Sequence, residues 1–301
     1  MAISITCKSN SEISPDELME WVIDNVDPAD NESMISAAER LCALKNNRNF
    51  VIDGIRREML SIADGQEPRY ASNQGTIHCQ NMGPKGRFIV RTVIWTPPLT
   101  KNLRSRVMQD KILSYASAHD HNFSLLTIGY HGSGYKTDIY EYDPSSISGA
   151  IGETVEIKFL EHTSLPEDKI LYFRPNRDIH VQLYPDEVSI SLNLMGDPNG
   201  NATRAQYEFD VQNGKILNLL DGNAVRVSLA PFALIECLGA DENLIDLLSF
   251  VAKEHQSPHI RSRAYSTLSR VCKKEKYQLA VPGLLDSSRL VSETARSILE
   301  Q

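Results

Sequence analysis

A chain of 301 residues with 41% hydrophobic and 23% charged residues has material for one large core or two smaller ones and the balance of a globular domain. Its formal charge of −8 argues against a nucleic-acid or anionic-membrane surface, because phosphate contacts need a basic patch. No apolar run approaches a membrane span, and the opening MAISITCKSNSEIS reads as lacking the cationic and apolar segments of a secretory signal. The five cysteines, Cys7, Cys42, Cys79, Cys237 and Cys272, are scattered and odd in number. They read as reduced thiols of a cytoplasmic protein rather than as a disulfide framework.

In chain order, residues 1–12 are polar and expected to be loose. Ser14-Pro15-Asp16-Glu17 is a helix start, with Ser14 as N-cap, Pro15 at the first helical position and Glu17 in capping-box register. Leu18, Trp21, Val22 and Val26 give that helix an apolar face. A second helix is predicted over Glu32–Leu44, with Ile35, Ala38 and Leu41 on one side. A third is predicted near Phe50–Ala63, with Ile52, Ile55 and Leu60 as buried positions. These helices carry no chemistry and read as a packing layer.

From about residue 65 the pattern turns to strands. Gly83-Pro84-Lys85-Gly86 is a turn, and Arg87–Thr96 is a strand rich in β-branched and aromatic residues. Arg91 within that run either faces solvent or turns inward to anchor a carboxylate. Residues 101–117 form a short helix or an irregular connection. His119-Asp120-His121 then precedes the apolar run Leu125–Ile128. Side chains alternate along a strand, so His119 and His121 would share a face and supply half of a metal site; the plain alternative is two surface or core histidines. Beyond the turn His131–Gly134, Tyr135–Asp143 returns as the second strand of a hairpin. That pairing sets Glu141 opposite His121, while a one-residue slip brings Asp138 or Tyr140 to the same face. Further strands are expected at Val155–Leu160 and Lys169–Phe173.

The stretch Asp178–Met195 has the sharpest pattern. With Pro185-Asp186 as a two-residue turn, Leu183 pairs with Val188, Val181 with Ile190 and Ile179 with Leu192. The other face pairs Gln182 with Ser189, His180 with Ser191 and Asp178 with Asn193. One face is wholly apolar and the other wholly polar. In a half-exposed sheet the polar row faces water. In a small barrel it lines the interior, and His180 becomes a third imidazole. Arg204–Asp210 and Lys215–Leu220, separated by Asn213-Gly214, read as a further hairpin.

From about Asp241 the chain is helical. Ile260, Ala264 and Leu268 recur as Val291, Ala295 and Ile298-Leu299 at an offset of 31 residues, with Leu279–Asp286 between them as a helix and turn. This resembles a HEAT-type repeat, whose paired helices bury a common face; a plain helical hairpin is the alternative.

His119-x-His121, a later Glu141 and a downstream His180 on successive β-runs resemble the cupin superfamily over about residues 65–222. The resemblance implies an α+β chain in three parts: an N-terminal helical segment (1–64), an antiparallel jelly-roll β-barrel (65–222) and C-terminal HEAT-like helices (223–301). It implies a metal held by His119, His121 and His180. Glu141 is the weaker fourth ligand, because it follows His121 by 20 residues where family members usually have an acid within a few. A three-histidine site resembles that of the thiol dioxygenases. It implies Fe(II), with Zn, Mn, Ni or Cu as other occupants, and an oxygenase, an oxidoreductase acting on an amino acid, peptide or other small polar substrate. Arg91, Gln182 and Asn193 would bind substrate. Two further classes stay open: a non-catalytic interaction module that docks a protein through the C-terminal helices, and a metal-dependent isomerase or hydrolase. The expectation is a cytoplasmic protein with no nucleic-acid or membrane partner, and the exposed edges of small jelly rolls favour a homodimer.

Overall fold

The computed structural model describes residues 3–65, 79–85, 87–98, 103–196, 203–220 and 224–301. Two compact units emerge, one of Met1–Tyr142 with Ile157–Asn199 and one of Asp143–Glu156 with Gly200–Gln301. This differs from the three-part division. The N-terminal helices join the strands they cover, and the last two strands join the C-terminal helices.

The first unit opens on a strand, β1 (Ile3–Thr6), where a loose segment was expected; Ile3 and Ile5 lean on the core while Ser4 and Thr6 are exposed. Helix α1 (Pro15–Asn25) forms as predicted. Ser14 Oγ accepts from the Glu17 amide at 3.2 Å, and Glu17 Oε2 accepts from the Ser14 amide at 2.7 Å. The predicted second helix is two helices, α2 (Asn31–Ser36) and α3 (Ala38–Asn46). The chain tightens at Ala37, whose amide donates to Met34 O at 3.2 Å, a bond of three-residue span. Helix α4 (Asn49–Ala63) follows, and α5 (Leu103–Leu113) fills the ambiguous connection.

One sheet of this unit is fully antiparallel. Its order is β1, β8 (Lys169–Phe173), β5 (Ser124–His131), β10 (Ser189–Gly196), β3 (Phe88–Trp95) and β2 (Cys79–Lys85). A second antiparallel set runs β4 (Ala118–His119), β9 (Asp178–Leu183), β6 (Lys136–Glu141) and β7 (Lys158–Ser164). Both faces of the first sheet are covered. Val90, Leu126, Ile128, Leu192 and Leu194 pack under Leu18, Val22, Met34 and Leu41 of the helices. On the other face Val93, Trp95, Leu125, Leu171 and Phe173 join Tyr135 and Ile139, so the two sets of strands face each other. Burying a side chain of this size stabilises the fold by roughly 1.5–3 kcal/mol.

Two predicted hairpins do not form. β9 and β10 belong to different sheets, so His180 does not pair with Ser191, nor Asp178 with Asn193. β5 and β6 are likewise separated. In each case the short connection carries the chain across from one sheet to the other. Gly132 and Gly134 permit one crossing through positive φ of 81° and 75°, and a Cβ on Gly134 would lie 1.8 Å from Leu165 O. The alternation read from the sequence still holds, since Ser189, Ser191 and Asn193 are all buried.

The cysteine reading is also corrected. Cys7 and Cys42 form a disulfide that ties the end of β1 to α3, 35 residues apart in sequence. Cys237 is exposed and Cys272 buried, both as free thiols.

In the second unit β11 (Tyr207–Asp210) and β12 (Lys215–Leu219) form the expected antiparallel hairpin, with Gly214 at φ 60°. The helices are α6 (Ala224–Val227), α7 (Ala230–Leu238), α8 (Glu242–Glu254), α9 (Pro258–Val271), α10 (Lys276–Ala280) and α11 (Arg289–Leu299). Asp241 caps α8 by accepting from the Leu244 amide at 2.8 Å. Ile260, Ala264 and Leu268 on α9 and Val291, Ala295 and Ile298 on α11 are all buried, as their shared spacing predicts. Among the described residues, no helix is long and apolar enough to cross a membrane.

Candidate metal centre

His119 and His180 are a direct cross-strand pair between β4 and β9, which puts both rings on one face of that ladder. His121 arrives differently. The strand ends at His119, so His121 comes from the following loop and not from the same strand face, correcting the expectation. That loop is pinned from the far side. Asp120 Oδ2 accepts from the Tyr142 hydroxyl at 2.7 Å and from Asn176 Nδ2 at 3.3 Å, and the Asn176 amide donates to His121 O at 2.6 Å. Asn176 sits at φ 47°, a conformation that asparagine tolerates better than most residues.

The three imidazoles converge. Ring centroids lie 4.6 Å (His119–His180), 4.8 Å (His121–His180) and 5.2 Å (His119–His121) apart. One ligating atom from each lies within 4.8 Å of the others. Burial depresses the pKa of all three: His119 is pushed down to about 4, although its hydrogen bond to Ser117 opposes the shift. His121 and His180 are held well below the usual histidine range by burial, then by neighbouring histidines and the Arg91 charge. At neutral pH the rings are therefore uncharged, the form that ligates metals.

The residues fit such an ion. His119 Nδ1 lies 3.0 Å from Ser117 O, which fixes the proton there and leaves Nε2 as a bare lone pair. His119 Nε2 and His180 Nε2 lie 3.1 Å apart, and His180 Nδ1 is buried without a hydrogen-bond partner among the described residues. Phe123 stacks on His121 at 4.6 Å and Phe173 lies 4.6 Å from His180, giving an apolar wall. Three neutral nitrogens without a carboxylate suit iron, zinc, copper or nickel more than magnesium or calcium. His119, His121 and His180 could hold a metal ion.

Glu141 is not brought into this group. It shares the β9-facing register with His180, but it pairs with Asp178 while Ile139 stands opposite His180. Its carboxylate accepts from Arg174 Nη2 at 3.0 Å and lies 3.6 Å from Lys158 Nζ. The Arg174 hydrogen bond, against some opposing burial, holds its pKa below the usual carboxylate range. The inward option for Arg91 is the observed one. It stands directly opposite Asn193, on the strand face of Val93 and Trp95, and its charge reaches all three histidines. Arg91 Nε is buried with no hydrogen-bond partner, and among the described residues no carboxylate pairs with this side chain. Gln182, buried on the His180 face of β9, also has an unpartnered Oε1 among the described residues.

A hydrogen-bond network behind Asn193 was missed in part by the sequence reading. Trp95 Nε1 donates to Ser191 Oγ at 2.9 Å, and Ser191 Oγ donates to Asn193 Oδ1 at 3.2 Å. Thr127 Oγ1 donates to the same oxygen at 2.6 Å, and the neighbouring Tyr135 is buried. Burial raises the Tyr135 pKa far above its ordinary value, so it stays protonated. A lone threonine in the apolar run Leu125–Ile128 was the available signal.

No protein-family model matches this sequence. No curated protein matches it either. Similar solved structures include a Cupin 2 conserved barrel domain protein from Salinispora arenicola, at 13% identity over 40% of this chain and 74% of that one, with a TM-score of 0.23. A single-site mutant of salicylate 1,2-dioxygenase from Pseudoaminobacter salicylatoxidans is similar at 8% identity over 50% of this chain and 34% of that one, TM-score 0.28. A conserved protein with a double-stranded β-helix domain from Klebsiella pneumoniae is similar at 11% identity over 44% of this chain and 82% of that one, TM-score 0.23.

Proposed function

We propose that the first unit is a cupin-type β-barrel that holds one iron(II) ion on His119, His121 and His180 and acts as an oxygenase on a small carboxylate-bearing substrate. Held there, the ion would supply redox chemistry and open coordination positions for substrate and dioxygen. The observation that carries the substrate class is the half-buried side chain of Arg91, whose Nε is buried without a hydrogen-bond partner and whose charge reaches three neutral imidazoles, with no carboxylate paired to it among the described residues. A divalent cation held beside Arg91 would raise the local positive charge further, and a bound anion would offset that charge. Arg91 would hold a carboxylate through its fork of N–H donors. Asn193 is already oriented: its carbonyl oxygen is engaged by Ser191 and Thr127, which leaves its amide N–H groups to donate to substrate. Phe123 and Phe173 keep water from the imidazoles.

A metal-dependent hydrolase or isomerase is less well supported. Where such chemistry uses a carboxylate as general base, the candidates near the triad are engaged elsewhere, Glu141 with Arg174 and Asp120 with Tyr142 and Asn176. For the second unit we favour a HEAT-like pairing of α9 and α11, supported by their shared buried positions, with protein docking as the role such repeats would carry.

The test is metal analysis of untagged protein, followed by oxygen uptake with a panel of small amino, hydroxy and aromatic carboxylic acids and their amides. The expected result is iron near one equivalent and uptake with acids but not with amides. Less than about a tenth of an equivalent of any transition metal, unchanged in His121→Ala, would leave the non-catalytic module as the reading. Zinc with no uptake would favour the hydrolase.

A further inference from the structure

Helix α4 forms where the sequence places it, but its predicted buried positions are outside. Ile52 is 51% exposed, Ile55 50%, Met59 58%, Leu60 59% and Ile62 50%. The helix is anchored at its beginning, where Phe50 and Val51 pack on the core and the Phe50 ring meets Tyr130 edge-on at 5.8 Å. Beyond that anchor the less exposed positions are Asp53, Gly54 and Ser61, of which Gly54 and Ser61 lie on the side of the helix away from Ile52 and Met59. Ile52, Ile55, Met59 and Ile62 follow one another at steps of three, four and three residues. That is the spacing of a coiled-coil seam over two heptads, narrower than the stripe a helix needs to lie on a globular core.

We propose that this seam pairs with the α4 of a second copy of the chain, in antiparallel orientation. The spacing reads the same in both directions. A two-fold axis crossing between Ile55 and Met59 therefore sets Ile52 against the partner's Ile62 and Ile55 against the partner's Met59. An a position then meets a d position in every layer, as antiparallel packing requires, and the two helix dipoles are opposed. Four half-exposed aliphatic side chains per copy, at on the order of 100 Å² each, bring the pair to roughly 800 Å², the range of weak, transient interfaces. Such a dimer dissociates in roughly the micromolar range. Arg56, paired with Asp53 on the same helix, lies at the flank of the seam and keeps its charge in water.

Sedimentation velocity on the full chain between about 1 and 100 μM tests the pairing. A concentration-dependent dimer is expected. Ile55→Glu with Met59→Glu should weaken it at least tenfold, whereas Leu234→Glu, at another exposed leucine in the second unit, should leave it unchanged. Orientation is tested by cysteine cross-linking in a Cys79→Ser, Cys237→Ser background, which removes the exposed Cys237 thiol and leaves no Cys79 to react. A mixture of Ile55→Cys and Met59→Cys proteins should cross-link, and either protein alone should do so poorly. A monomer at every concentration would overturn the proposal. So would Ile55→Cys cross-linking to itself in preference, or flotation of the wild type with anionic vesicles in place of dimerisation.

Discussion

β3, β5 and β10 present two unlike faces. Toward the helices they show Val90, Leu126, Ile128, Leu192 and Leu194, a dry aliphatic layer. Toward the other strands the intervening positions are Arg91, Thr127, Ser191 and Asn193; the last three share hydrogen bonds that reach Trp95, whose ring lies against Tyr135. Strand period two lets one stretch of chain serve both purposes. The first face supplies stability by removing apolar area from water. The second gives up part of that stability to keep Arg91 Nε, Thr127, Ser191 and Asn193 away from water, and it holds the orientation that a ligand would meet. A mutation should therefore be read by its parity along the strand as much as by its residue type.

The strongest way to break this contrast is at the triad. His180→Ala should lower metal affinity by more than about 100-fold while far-ultraviolet circular dichroism stays native, measured by elemental analysis after dialysis. Retention of a full equivalent would remove the metal reading. Next comes pH. All three histidines have pKa values below their unfolded value, so the unfolded chain binds protons first as pH falls below about 6.5. The stability of metal-free protein is thus fully present above that pH and is lost below it, at a slope approaching about 4 kcal/mol per pH unit for three groups. The slope should ease near pH 4, where folded His119 titrates. Urea midpoints at pH 7, 6 and 5 check the sign, and a flat profile would contradict burial of the neutral rings.

Smaller effects sharpen the comparison. Leu126→Ala on the dry face should cost about 3 kcal/mol without changing metal stoichiometry. Ser191→Ala on the other face removes one of the bonds that orient Asn193. If it is worth about 1 kcal/mol in substrate binding, KM should rise about fivefold at nearly unchanged kcat. A drop in kcat with constant KM would mean that Asn193 acts on something other than ground-state binding.

The histidines and the polar row were legible in the sequence because alternation is local. His180, Gln182, Ser191 and Asn193 are buried on the faces that their parity assigned. Pairing is not local. Pro185-Asp186 looks like a hairpin turn, yet the strands on either side enter different sheets, a choice made by partners far along the chain. Glu141 was given the right face and the wrong neighbour, because nothing in its own surroundings announces Arg174. Apolar periodicity identified α4 but does not say what covers it. Cys7 and Cys42 carry no spacing signal, and only the folded chain brings them together.

That disulfide has a practical consequence through the short strand it holds. β1 has four residues, and it covers the otherwise open hydrogen-bonding rim of β8. So short a strand holds its place weakly by pairing alone, and the bridge to α3 keeps its end close by. Under strong thiol reductants β1 should fray, leaving the β8 rim to recruit strands from other molecules. Handling this protein in dithiothreitol is therefore expected to produce soluble aggregates, which light scattering would register before any loss of helix signal.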